Sequence, residues 1–151
     1  GDWYWMKETN LGVTQYIGVD IVESMIKKHK IEFASHGRAF ECLNLATDSL
    51  PKADLIFSRD CLVHLSFEDA IRIISNFKKS GAKYLLTTSF IDRTENNDLV
   101  GKDSFWRPLN MCLAPFNFPE PLLIVNEGCT EEANQYADKC MCLWLLCDIT
   151  V

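Results

Sequence analysis

The sequence has no apolar run near the roughly 20 residues that a membrane-spanning helix needs. Its longest run, Met141 to Cys147, is the length of a strand. There is no internal repeat and no low-complexity segment, which excludes solenoid and fibrous architectures. Positive charge is in deficit: 15 Lys and Arg stand against 21 Asp and Glu, a net charge of −6. No overall field attracts nucleic acid or an anionic membrane. The lysine clusters (Lys27, Lys28, Lys30; Lys78, Lys79) are short and sit at helix ends. The seven cysteines, at 42, 61, 112, 129, 140, 142 and 147, are odd in number and scattered. Cys140-x-Cys142 is too tight for the paired cysteines of a zinc site, so no metal is expected. The thiols are expected to be reduced, mostly small core hydrophobes, in the cytoplasm. The opening residues, Gly-Asp-Trp-Tyr-Trp-Met-Lys, do not read as a secretory leader. A chain that opens on Gly is expected to be the downstream part of a longer one, or to have lost a tag.

What is there is ordinary globular composition: 151 residues, 48% apolar and 24% charged, the size of a single domain. Gln15 to Asp20 is a β-branched and aromatic run ending in a carboxylate. Ile21 to Lys30 follows with Val22, Met25, Ile26 and His29 at helical spacing, and its closing lysines suit the helix dipole. Ala39 to Leu43 reads as a strand and 44–51 as the loop after it, with room for a short helix before the next strand. Ala53 to Ser58 is apolar enough to be a strand buried on both faces. Ser66 is a good N-cap, with Asp69 three residues on. Ala70, Ile71, Ile73, Ile74 and Phe77 give that helix its buried stripe, and Gly81 ends it. Tyr84 to Phe90 is a further buried strand. Residues 92–121 form a long connection with four of the five prolines, and its aromatics (Phe105, Trp106, Phe116, Phe118) predict that it is ordered. Leu122 to Asn126 and Lys139 to Ile149 are two late strands, joined by a polar stretch with room for a helical turn.

The alternation predicts an open, three-layer α/β/α sheet, mostly parallel, with an antiparallel ending. Ligands bind such sheets beyond the carboxyl ends of the strands. That singles out Asp20, Asn44, Arg59, Asp60 and the loop after Phe90. A strand-end acid such as Asp20 can accept both hydroxyls of a ribose, or simply cap the next helix. An amide at Asn44 can bond an adenine edge while Leu45 packs on the ring, or make a turn. Asp60 can bind an amino group, orient a substrate, or pair with Arg59. His64 can act as a general base or as a structural imidazole.

The runs Tyr-Ile-Gly-Val-Asp (16–20), Asn-Leu-Ala-Thr-Asp-Ser-Leu-Pro (44–51) and Ala-Asp-Leu-Ile-Phe-Ser-Arg-Asp-Cys-Leu-Val-His-Leu (53–65), in this order and spacing, resemble the class I S-adenosylmethionine-dependent methyltransferases. The likeness covers residues 1 to about 90 by motif and the rest by strand order. It implies a Rossmann-like sheet of order 3-2-1-4-5-7-6 and S-adenosylmethionine as cofactor, with S-adenosylhomocysteine as product. By that resemblance Gly1 and Asp2 end the glycine-rich loop, with Trp3 where a third glycine often sits. Asp20 is the ribose acid and Ile21 packs beside the adenosine. Asn44 stands where the family usually has Asp, with Leu45 as its apolar partner. Arg59 and Asp60 form the turn whose backbone contacts the cofactor amino group, and His64 matches a histidine common in the family. Asp60 and His64 are the candidate bases. Trp106 and Arg107 are the candidate substrate-binding residues, in a loop over the methyl donor. The departure is at the beginning, where the first strand and most of its glycine loop would precede Gly1.

The expected function is therefore methyl transfer to a small-molecule or peptide acceptor, with nucleic acid disfavoured by the charge, no membrane partner and the oligomeric state open. A non-catalytic Rossmann-like interaction module is the alternative. A nicotinamide dehydrogenase is disfavoured by the late strand pair and by the turn after residue 58.

Overall fold

A computed structural model describes residues 1, 3–101 and 104–151. They form two compact units, 1–51 and 52–151.

In the first unit, β1 (Tyr16–Asp20), α1 (Glu23–Glu32) and β2 (Arg38–Cys42) make one βαβ turn. The strands run parallel, in register from Tyr16 beside Arg38 to Asp20 beside Cys42. Ile26 and His29 on α1 are buried against Phe40, Trp3 and Met6, with Tyr16 and Phe33 at the margin. Trp3 meets the Phe40 ring edge-on at 5.3 Å, and His29 meets it at the same centroid distance. Gly18 is required by this packing, because a Cβ there would lie 2.7 Å from the Phe40 ring. The helix starts two residues later than its hydrophobic spacing predicts. Val22 is extended and its N–H is taken by Asp20 Oδ1 at 2.9 Å, so the helix can begin only beyond it.

The second unit contains β3 (Leu55–Ser58), α2 (Phe67–Lys79), β4 (Tyr84–Phe90), β5 (Leu123–Asn126) and β6 (Lys139–Leu145). The sheet order is β3-β4-β6-β5, with β3 and β4 parallel and β6 antiparallel to both of its neighbours. Ser66 caps α2 as expected, its Oγ accepting the Asp69 N–H at 3.1 Å. Asp98 adds a second cap from the long connection, Oδ1 accepting the Phe67 N–H at 2.9 Å. Ala70, Ile73, Ile74 and Phe77 are buried, and Gly81 takes the left-handed φ of 77° that closes the helix.

Numbered along the expected sheet, the two sheets are its segments 3-2 and 4-5-7-6. Among the described residues β1 pairs only with β2, and β3 only with β4. That corrects the doubly buried reading of residues 53–58. Leu55 and Phe57 are 42% and 41% exposed because the strand has a neighbour on one side only. The optional helix after β2 is replaced by a turn, in which Asn44 and Asp48 bond each other's backbone and the amides between. The last strand stops at Leu145, not Ile149, and continues as a single 3₁₀ turn. The helical turn allowed for in 127–138 is irregular, with φ between 48° and 69° at Glu132, Ala133 and Asn134. Of the cysteines only Cys140 and Cys142 are fully buried, so the expectation of mostly core thiols is corrected. Cys42, Cys112 and Cys147 are exposed, at a strand end, in the long connection and in the last turn.

The long connection is ordered by its own polar side chains. Asn96 donates to the carbonyls of Asn110 and Ala114 and accepts the Asn110 N–H, all within 2.9 Å. Phe116 and Phe118 are buried, the latter edge-on to Trp144. No helix among the described residues is long and apolar enough to cross a membrane.

Candidate functional site

In the first unit the informative position is the carboxyl end of β1. The Asp20 carboxylate holds the Val22 N–H on Oδ1 and the Gly1 amino group on Oδ2. Its burial raises the pKa, but these bonds together with the Ile21 amide outweigh that and hold it below 3.8. The structure thus brings together Gly1 and Asp20; Asp2 lies outside the described residues. Trp3, at the position of an expected glycine, has φ 64°, the left-handed conformation glycine adopts most readily. Its indole packs into the aromatic core and does not line a mouth. Ile21 is 63% exposed beside Asp20. At the end of β2, Asn44 Oδ1 accepts the Ala46 N–H at 2.9 Å, which leaves the side-chain NH₂ as its donor to a ligand. Leu45 follows, half-buried.

In the second unit Arg59 and Asp60 leave β3 directly. Asp60 has φ 52°, and its N–H donates to Thr88 Oγ1 at 2.8 Å. Its carboxylate accepts from Lys139 Nζ at 2.6 Å and lies 3.5 Å from Arg59 Nη1. The structure thus places Asp60 within a network of ion pairs. Arg59 makes a two-point contact with Glu127, Nε at 2.6 Å and Nη2 at 3.4 Å. That bond raises its pKa against the opposing effect of burial. Burial also works against the charge on Lys139, but Asp60 and Glu127 outweigh it and raise the pKa above 10.5. Glu127, Lys139 and Thr88 carry this arrangement and were invisible to sequence spacing, since they stand 28 to 79 residues from Asp60 or Arg59.

His64 lies in the 3₁₀ turn between β3 and α2, with its ring exposed. Its Nδ1 is 2.7 Å from the Phe105 carbonyl. A carbonyl only accepts, so Nδ1 carries the proton and Nε2 presents the lone pair. Trp106 packs edge-on against Phe90 at 5.7 Å and Tyr136 at 5.0 Å. Arg107 departs from the expected open cation: it is 8% exposed, and donates to the carbonyls of Leu62, Val63 and Asn97. Those bonds fasten the long connection to the 3₁₀ turn that carries His64. A cavity of about 370 Å³ borders the same connection, lined by Asp92, Arg93, Thr94, Glu95 and Asn97 with Arg107 and Pro108.

These strand orders are those of a partial Rossmann-like fold, the fold of the class I S-adenosylmethionine-dependent methyltransferases. Solved structures share it. LepI in complex with SAM matches with a TM-score of 0.57 at 12% identity, over 87% of this chain and 36% of that one. A Listeria monocytogenes protein described as an S-adenosylmethionine dependent methyltransferase matches with a TM-score of 0.52 at 13% identity, over 88% of this chain and 79% of that one. The magnesium protoporphyrin IX methyltransferase ChlM from Synechocystis, with bound SAM, aligns at 24% identity and a TM-score of 0.43, over 56% of this chain and 42% of that one. The chain therefore spans well under half the length of LepI and ChlM. No protein-family model matches the sequence, and no curated protein matches it either.

Proposed function

We propose that this chain binds S-adenosylmethionine and serves methyl transfer to a small-molecule acceptor. The observation that carries the reading is the Asp20 carboxylate at the tip of a parallel strand, with Oδ1 held by the Val22 N–H at 2.9 Å. A ribose diol offers two O–H donors of the kind such a carboxylate accepts. Asn44 would give its NH₂ to an adenine nitrogen, with Leu45 and the exposed Ile21 packing on the adenosine. Gly1 and Asp2 would border the methionine part. The cofactor supplies a methyl group made electrophilic by its sulfonium.

Taken by itself, the Arg59–Asp60 turn of the second unit has backbone groups of the kind that would receive an amino group of such a cofactor. His64 Nε2, with its tautomer fixed by Phe105, would take the acceptor's proton where one must leave. The cavity beside residues 92–97 has both signs of charge in its lining, which suits a polar small molecule better than a hydrocarbon. The Arg107 clamp would shape its wall, and Trp106, packed on Phe90 and Tyr136, would act beside it.

Calorimetry with S-adenosylhomocysteine tests the reading. Micromolar binding that is lost in Asp20→Ala supports it. Absence of binding to the wild-type chain overturns it. Binding without turnover of any acceptor favours the alternative, a non-catalytic binding module.

A further inference from the structure

We infer that Lys139 and Glu127 are positioning residues that hold Asp60 in its left-handed backbone conformation and so fix the shape of the turn after β3. The inference rests on the proposed role of that turn in receiving the cofactor. Asp60 has φ 52°, a conformation that any residue with a Cβ resists. It persists because contacts from two strands over-determine it. From β4, Thr88 Oγ1 accepts the Asp60 N–H at 2.8 Å. From the first residue of β6, Lys139 Nζ reaches the Asp60 carboxylate at 2.6 Å. Lys139 is itself aimed by Glu127 at 3.3 Å, just beyond the end of β5, and Glu127 is fixed by Arg59 at 2.6 Å.

The Lys139 and Glu127 side chains are only 13% and 16% exposed, which shields the pairs from solvent screening. Their charges all meet at one end of the sheet, beside a turn with an unusual φ, and not in the packed middle. A role in stability alone leaves unexplained why the network converges on the one strained residue of that turn.

The test uses the whole chain and separates backbone shape from charge and from folding. S-adenosylhomocysteine affinity is measured by calorimetry for wild type, Lys139→Met, Lys139→Arg, Glu127→Gln and the double variant Lys139→Met with Asp60→Gly. Lys139→Met is expected to weaken binding about ten-fold through misplacement of the turn. Lys139→Arg, which keeps the ion pair, should recover most of it. The double variant should also recover most of it, because glycine adopts positive φ without support. In parallel, the Asp60 amide resonance should shift and its hydrogen exchange accelerate in Lys139→Met and Glu127→Gln, but not in Lys139→Arg.

Undiminished affinity in Lys139→Met, or a double variant as weak as Lys139→Met, overturns the inference while leaving the proposed function standing. An unmoved Asp60 amide in a folded Lys139→Met overturns it whether or not the nucleoside binds. Failure of the wild-type chain to bind removes the proposed function, and the positioning role with it.

Discussion

Asp20, at the carboxyl end of β1, has one carboxylate oxygen fixed by the Val22 amide at 2.9 Å. A group in this state is a strong acceptor for hydroxyls, and hydrogen bonds to an ionised group contribute about 1.5–3 kcal/mol each. Asp20→Asn should accordingly weaken S-adenosylhomocysteine binding by about ten-fold or more, read by calorimetry. The pH dependence has a defined sign. The Asp20 pKa is depressed on folding, so its contribution to stability is complete above 3.8 and is lost as pH falls through the lower folded value. For Lys139 the folded pKa is raised, so its contribution is complete below 10.5 and is lost as pH rises through the folded value. Denaturation curves of wild type and Lys139→Met should therefore converge at strongly alkaline pH, while those of wild type and Asp20→Asn converge in acid. Thiol chemistry gives an independent check. Burial pushes Cys142 up to about 12. A thiol-specific chromogenic disulfide at neutral pH should label the exposed Cys42 and Cys147 in the folded chain, and Cys140 and Cys142 only after denaturation. Early labelling of Cys142 would contradict the placement of β6.

Elements with local signals were legible in the sequence. Ser66, the apolar stripe through Phe77 and Gly81 carry α2 completely, because cap, periodicity and stop lie within one stretch of chain. Ser66→Ala should lower stability by about 1 kcal/mol in urea denaturation. A smaller effect would mean that Asp98, the cap supplied from the long connection, carries the helix start alone. Strand β4 was legible end to end for the same reason of local pattern. What escaped was set by distant residues. Periodicity at Val22 suggests helix, but the carboxylate two residues earlier takes its amide first. Arg107 looks like a free cation until the carbonyls of Leu62 and Val63, 45 and 44 residues away, are brought to it. Strand β1 shows the same limit from the other side. Gly18 resembles a simple loss of strand propensity, yet Phe40 from the next strand fills the space its side chain would need. Gly18→Ala is therefore expected to destabilise the first unit by about 1–3 kcal/mol, the range of overpacked cores. A neutral result in chemical denaturation would show that the Phe40 ring can yield despite Trp3 and His29 against it.

At the scale of the whole molecule, the alternation of strands and helices carried the fold class, and the order of the expected sheet survives in two segments. Among the described residues β4 and β6 have neighbours on both sides, whereas β1, β2, β3 and β5 have one each. A strand flanked on both sides has all its amides in ladders, while an edge strand leaves alternate amides to solvent. Hydrogen exchange should therefore rank the sheet. The amides of Leu85 to Thr87 and of Cys140 to Leu143 should exchange slowest, near the rate of global unfolding. Alternate amides in Tyr16–Asp20 and Leu55–Ser58 should exchange orders of magnitude faster than their paired neighbours. Uniform protection along β1 or β3 would mean that a further strand lies against that edge in solution. The half-exposed Leu55 and Phe57 make β3 the sensitive place to look, since such a strand would cover those side chains as well as the backbone.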